Sequence, residues 1–522
     1  MISRRQFLSK FALTGAAVVT KSAEAIASER CADATCETHE CYTRMFPQLA
    51  RLPSTPGSPL ETGLKELGAK MRECGQDEGA VSAGYTYLGQ FIDHDLTLDI
   101  TPLELAHPSV ERIPNFRTPL LDLDHVYARG PSLSPFLYEM NGPPGNERFL
   151  VGMTGHKKLK GRDLEPSPND LPRNPKGIAL AGDPRQDENL IIAQLHVAFL
   201  KFHNRVMEEL DKGGKGKFQS VGPAGASRFE QARRLVTWHY QYIVLHDFLR
   251  ALINQEVLKG VQEKCTAPTA ATRSFQIPIE FSAAAFRFGH SMVRDVYDSY
   301  NQHHENVSLP CLLALTGFGS RNIACKDSSG SIVPFVLPED WVIEWKHFFL
   351  FSPADVRLND ARKIDTNIAN GLHELSIETV KQFNAAIQGA PPQLVSPSNK
   401  LPVRTLLRGA RMGMPSGQEV AKALGLDPLH PDEIAPISSP HYDTLKNYGF
   451  DTDTPLWYYI LKEAELKGSP NGGRLGLVGS RIVADVILGA LRADPGSYLS
   501  VDPKWQPTLD LADILALVSD IH

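Results

Sequence analysis

Gly89-Gln90-Phe91-Ile92-Asp93-His94-Asp95 carries the densest set of reactive side chains in this chain. In a helix, Gln90 and His94 stand four residues apart on one face, while Asp93 and Asp95 flank the imidazole and point in other directions. An imidazole presented in this way can take a proton from one oxygen and return it to another. By itself an Asp-His-Asp triplet is more often a solvated polar stretch, so other segments must be weighed with it. In Ala181-Gly182-Asp183-Pro184-Arg185-Gln186-Asp187-Glu188, Arg185 offers fixed positive charge for an oxygen that becomes negative in a reaction. Alone, this segment reads as an exposed Asp-Arg turn with an acidic helix start. In Phe286-Arg287-Phe288-Gly289-His290, a His beside a Gly can approach a flat ring closely, as an axial metal ligand must, and Arg287 can pair with a carboxylate. A lone His on such a face is more often a core residue. In Thr118-Pro119-Leu120-Leu121-Asp122-Leu123-Asp124, oxygen-bearing residues alternate with apolar ones. With Asp95 they offer three carboxylates and a hydroxyl to a hard cation such as calcium, although the loop lacks the EF-hand pattern and reads equally well as a polar turn.

Helices must position these groups. Leu195, Phe199, Phe202, Val206 and Leu210 recur at spacings of three and four, which predicts a helix over 188–210 with Asp187 as its cap. Phe229, Ala232, Val236, Tyr240 and Ile243 predict a second helix, and 476–493 a third that ends before Asp494-Pro495-Gly496. Pro- and Gly-rich connectors such as 129–185 and 389–402 are too spread out to mark a domain boundary. The predicted fold is mainly α: a single large helical domain with long irregular connectors, and no internal repeat.

The chain has 522 residues, 42% hydrophobic and 22% charged, with a net charge of -6. These values suit a globular enzyme. The absence of a long basic run argues against nucleic acid as a partner and for a small molecule. Residues 1–28 read as an export signal: Arg4-Arg5 within SRRQFL resembles a twin-arginine motif, Phe11 to Val19 is apolar but too short to span a bilayer, and Ala23-Glu24-Ala25 offers a cleavage site. The mature chain is therefore expected outside the cytoplasm, periplasmic or extracellular, without a transmembrane segment. A Cys-containing segment, 29–45, precedes the main domain at 46–522. Seven cysteines lie at 31, 36, 41, 74, 265, 311 and 325, and the five-residue spacing of Cys31, Cys36 and Cys41 matches neither a CxxC zinc knuckle nor a CxxCH haem site. Pairs within the N-terminal cluster or between Cys311 and Cys325 are open, and the odd total leaves at least one unpaired or intermolecular.

Taken together, in this order and at these distances, the four segments resemble the animal-type (myeloperoxidase-like) haem peroxidase family over about residues 80–500, in the form of an exported bacterial member. The resemblance implies haem b and calcium as cofactors. It makes His94 the distal acid–base residue, Gln90 the amide of the peroxide or halide pocket, and Arg185 the distal Arg. His290 becomes the proximal iron ligand, with Arg287 and Arg408 at the propionates. Asp93 and Glu188 fall where members form esters to haem methyls. Asp95, Thr118, the Leu120 carbonyl, Asp122 and Asp124 become calcium ligands, with Asp124 where mammalian members have Ser. Arg408 opens RGARMGMPSGQ, similar to the late Arg-rich segment of bacterial members.

Two departures stand out. Thr405 occupies the place of an Asn that bonds the proximal imidazole, and Asn189 that of a Met linked by sulfur to a haem vinyl, so that third link is expected to be absent. The implied activity is reduction of hydrogen peroxide and oxidation of a halide, pseudohalide or small organic donor through a ferryl oxidant, a chemistry allied to oxidative-stress responses. The competing readings are a haem-dependent fatty-acid dioxygenase, whose proximal Tyr-x-x-His is Arg287-Phe288-Gly289-His290 here, and a catalytically inactive, calcium-stabilised extracellular binding protein. His196 and His203 read as core residues, and His303 and His304 as part of a solvated loop.

Overall fold

In a computed structural model, residues 40–519 are described apart from 53–56, 74, 76–77, 102, 104–108, 141, 160, 214–215, 220, 224, 265–274, 320–333, 353–354, 357, 376–398 and 471. The proposed export signal and Cys31, Cys36, Cys74, Cys265 and Cys325 lie outside them. The long helices are Pro59–Lys70, Gly84–Leu96, Leu190–Asp211, Arg228–Ile243, Leu401–Arg411, Leu456–Lys467 and Leu477–Ala493. Strands are short and occur, among the described residues, only as four antiparallel pairs. The fold is mainly α, as expected, and one contiguous apolar cluster runs from Tyr42 to Val518.

The 22-residue helix Leu190–Asp211 is the centre of the packing. Gly84–Leu96 packs on it, as does Arg228–Ile243. Its start differs from expectation: Asn189, not Asp187, caps it, accepting from the Ile192 amide at 3.0 Å. The Asp187 carboxylate is committed elsewhere, to the Arg173 guanidinium at 2.7 and 3.0 Å, and Pro184–Asp187 forms a separate 3-10 turn. Arg228–Ile243 begins with a reciprocal capping box between Ser227 and Glu230, which satisfies donors that a helix start leaves unpaired. Leu477–Ala493 agrees closely with the predicted third helix and packs on Leu456–Lys467.

Two further helices close the core. Pro59–Lys70 lies against Leu401–Arg411, and a Cβ at Gly68 would come within 2.8 Å of the Val403 backbone, so only Gly permits that approach. The polar stretch around His303 and His304 is not a solvated loop. It is the turn of a hairpin, Val296–Asn301 with His304–Ser308, and the His304 ring stacks on Trp341 at 3.8 Å. The Asn301 side-chain oxygen accepts from the amides of both histidines, tightening the turn. Cys311 is a free thiol, which rules out the Cys311–Cys325 pairing, whereas Cys41 is disulfide-bonded. No described helix is long and apolar enough to cross a membrane.

Candidate active site

The helix Gly84–Leu96 turns Gln90, Asp93 and His94 into a cavity of about 360 Å³. Asp93 therefore joins the other two instead of pointing away, because three-residue spacing keeps it on the face of Gln90. Asp95 does point elsewhere, into a fully buried position where its Oδ1 lies 3.0 Å from His125 Nδ1. The turn at 184–189 adds Arg185, Glu188 and Asn189 to the cavity wall. A 3-10 turn, Ala285–Phe288, running into Gly289–Met292, contributes Arg287, Gly289 and His290. Gly289–Met292 packs against the helix bearing His94, so two elements remote in sequence present imidazoles to one space. Arg404, Thr405 and Arg408 complete the wall from Leu401–Arg411.

The groups around His94 are tied together by hydrogen bonds. Glu188 Oε1 accepts a short bond from the Gln90 amide and lies 3.5 Å from His94 Nε2. Asn189 Nδ2 donates to Gln90 Oε1 at 3.1 Å. On the other side of the imidazole, the buried Gln186 amide nitrogen lies 3.1 Å from Nδ1, while Gln186 Oε1 is buried without a partner among the described residues. Turning that amide over would let Oε1 accept from Nδ1–H and leave Nε2 open to a proton, so the two amide orientations correspond to the two tautomers of His94.

Arg185 is fixed with equal care. Its Nε and Nη2 donate to Asp183 at 3.1 and 2.8 Å, and Nη2 also reaches the Thr97 carbonyl at 2.6 Å. Nη1 lies 3.8 Å from Asp93. Although burial opposes ionisation of Asp183, the Arg185 charge outweighs it and holds the carboxyl well below its usual range. The guanidinium is correspondingly locked in its charged form.

His290 is held by contrast through packing. Trp457 meets its ring edge-on at 6.1 Å and is itself anchored by Nε1 donating to the Arg287 carbonyl at 3.1 Å. Its Nδ1 is buried and has no hydrogen-bond partner among the described residues. Thr405, at the Asn position, donates its hydroxyl back to the Leu401 carbonyl at 3.1 Å. Burial, with help from the Arg287 charge, pushes the His290 pKa down to about 3, so the imidazole is neutral and its lone pair is available to a metal. Beside it, a Cβ on Gly289 would meet nothing within 4 Å. Arg287 donates to the Ser282 carbonyl and Arg408 to the Thr101 carbonyl, at 3.0 and 2.6 Å.

Next to this cavity, ligand atoms of Asp95, Asp124 and His125 lie within 4.8 Å of one another. Asp122 is tied to the group by the Thr118 hydroxyl at 2.7 Å and the Asp124 amide at 3.2 Å. Leu123 turns the loop with φ of 59°, and Leu120 is half-buried within it. Burial raises Asp95 and Asp122 to about 7, and Asp95 Oδ2 is without a hydrogen-bond partner at normal geometry among the described residues.

Sequence reasoning missed Gln186, Asp183, Arg404 and His125. Gln186 and Asp183 are visible only as neighbours of Arg185, and nothing in their spacing says which way they point. Arg404 does leave a signal, four residues before Arg408 on one helix face.

A family model described as animal haem peroxidase matches residues 104–324. The chain is 28% identical over 203 residues to lactoperoxidase of Mesocricetus auratus, covering 37% of this chain and 26% of that protein. It is 27% identical over 222 residues to thyroid peroxidase of Homo sapiens, covering 38% and 22%. It thus spans about a quarter of the length of these curated relatives. Among solved structures it is similar to peroxidase A from Dictyostelium discoideum, with a TM-score of 0.56 and 15% identity over 92% of this chain and 93% of that one. Fatty acid alpha-dioxygenase of Oryza sativa aligns with a TM-score of 0.54 and 13% identity, over 87% and 76%.

Proposed function

We propose that the chain is a member of the animal haem peroxidase family, whose model matches residues 104–324, and that it reduces hydrogen peroxide at a haem and oxidises a halide, pseudohalide or small organic donor. One observation carries this reading: a single cavity of about 360 Å³ presents the His94 and His290 imidazoles together with Arg185. The cavity fits the group. It offers a neutral imidazole with free space beside Gly289, and three arginines, Arg287, Arg404 and Arg408, on its wall.

Haem, when bound, supplies the iron at which the peroxide O–O bond breaks. His290 would hold that iron through its uncommitted lone pair, while Arg287 and Arg408 would hold the propionates. His94 takes a proton at Nε2 from one peroxide oxygen and returns it to the departing oxygen. Gln186 keeps that ring in register. Arg185, unable to lose its charge beside Asp183, stabilises the oxygen that becomes negative. Gln90, its amide bonded to Glu188 and Asn189, orients peroxide or halide. Asp93 and Glu188 both face the cavity, where each could bond a haem methyl. Asn189, its amide engaged with Gln90, provides no sulfur link.

Calcium belongs to the same reading, held by Asp95, Thr118, the Leu120 carbonyl, Asp122 and Asp124. The buried Asp95 carboxylate, with an oxygen unpartnered among the described residues, and the half-buried carboxylates of Asp122 and Asp124 suit a divalent cation, and an ion there would fix the end of the helix that carries His94. Export of the folded protein by a twin-arginine route, to a periplasmic or extracellular location, completes the proposal.

The test is an optical spectrum of protein purified from haem-supplied cells, before and after one equivalent of hydrogen peroxide. A ferric Soret band that shifts on peroxide supports the assignment. Its absence would move the inactive calcium-bound protein to first place, and oxygen uptake with a long-chain fatty acid would favour the dioxygenase.

A further inference from the structure

We propose that Tyr87, Tyr297, Tyr300 and Trp341 form an electron path from the cavity to a surface site at Trp341, where electron-rich aromatic donors too large for the cavity are oxidised. The inference rests on the peroxidase reading, which supplies the oxidant. Tyr87 lines the cavity, and its hydroxyl lies 2.7 Å from that of Tyr297, with ring centroids 6.1 Å apart. Phe348 bridges onward, 5.7 Å from the Tyr297 ring and 5.9 Å from the Tyr300 ring. Tyr300 then lies 5.8 Å from Trp341 and donates its hydroxyl to the Trp341 carbonyl at 3.0 Å. Trp341 is half-buried, and His304 stacks on it at 3.8 Å with Asp340 Oδ2 3.1 Å from its Nε2.

Each ring thus touches the next, at separations usual for paired aromatics. Tyr297 and Tyr300 would face opposite sides of a regular strand, but the register shifts between Ser299 and Asn301, and both rings are fully buried. Packing alone would be served by Phe, without hydroxyls to satisfy. Another cavity tyrosine, Tyr85, leads through Phe349 to Trp345, which is buried and offers no exposed end.

Charge balances along this route. The surface donor loses one electron and releases one proton to solvent, becoming an aromatic radical. The electron passes through Trp341, Tyr300, Tyr297 and Tyr87 to the oxidising equivalents left in the cavity by peroxide. There a proton is taken up, so two donors are oxidised as one peroxide becomes two waters. Phenolic protons shift along their hydrogen bonds and return with the next electron.

The haem-loaded protein is compared with Trp341→Phe and Tyr300→Phe after peroxide addition. The readings are the Soret shift, spin-trap adducts at residue 341 by peptide mass spectrometry, and oxidation of a small phenol free or tethered to dextran. The expected result is a Soret shift in all three proteins, free-phenol rates within about twofold, and tethered-phenol rates down about tenfold or more in both variants. The Trp341 adduct should fall in parallel in Tyr300→Phe. Tethered-phenol oxidation that survives in both variants, or falls only in step with the free phenol, overturns the path and leaves the peroxidase reading standing. A parent protein without a Soret shift overturns that reading and the path together.

Discussion

The two imidazoles that share the cavity are held in opposite ways. His94 is approached at Nδ1 by Gln186 and at Nε2 by Glu188, whereas His290 Nδ1 has no partner among the described residues. Orientation of His94 comes from hydrogen bonds, and that of His290 from packing against Trp457. A group that must exchange protons gains from partners that select a tautomer. A metal ligand without such a partner is less basic, and donates less electron density, than one whose ring N–H is engaged.

The largest effect should come from removing the proposed iron ligand. His290→Ala is expected to abolish the ferric Soret band while the calcium binding proposed for the neighbouring loop, followed by calorimetry, persists; a normal Soret band would place the iron elsewhere. Next comes His94→Ala, which should leave the Soret band in place and slow the peroxide-induced shift about 10²–10⁴-fold, the range typical of general acid–base loss. Stopped-flow mixing measures it, and an unchanged rate would take proton transfer away from His94.

Gln186→Leu tests how far a tether matters. It keeps the size of the side chain and removes control of the His94 tautomer, so a loss of about tenfold with a displaced pH profile is expected. A uniform loss across pH would mean that Gln186 only fills space. Thr405→Asn would sharpen the contrast from the other side by offering His290 Nδ1 an acceptor. The measurable result is a more negative iron reduction potential and tighter haem retention, and an unmoved potential would show that residue 405 does not reach the ring.

Why some of this was legible in the sequence and some was not follows from what spacing encodes. The helix over 190–211 and the placing of Gln90 with His94 need only a period of 3.6, and the structure agrees with both. Asp93 was misjudged because a three-residue step lies almost as close to Gln90 as a four-residue one does. The cap at Asn189 was missed because Asp187, the better-known cap type, is taken by Arg173, which is fourteen residues away. Gln186 could not be read at all: its contact with His94 spans 92 residues, and only the packed chain brings them together. His304 failed for the same reason, since its ring is covered by Trp341 from a distant segment.

Buried imidazoles away from the cavity complete the comparison, and they should govern acid stability. His203 is fully buried, bonded to Tyr127 through Nδ1 at 3.0 Å, and burial lowers its pKa to about 3; His196 is lowered to the same level. An unfolded chain would protonate each near pH 6.5. Between about 3 and 6.5 the unfolded state therefore binds more protons than the folded state, so stability is complete above that window and is lost as pH falls through it. Each group contributes a slope of up to about 1.4 kcal/mol per pH unit. His203→Gln removes one titrating group but keeps a hydrogen-bonding side chain. Its denaturation midpoints, followed from pH 7 to 4, should fall less steeply than those of the parent, even if they start lower. Parallel curves would mean that His203 takes up its proton inside the folded protein, and that hydrogen bonding to Tyr127 outweighs burial there.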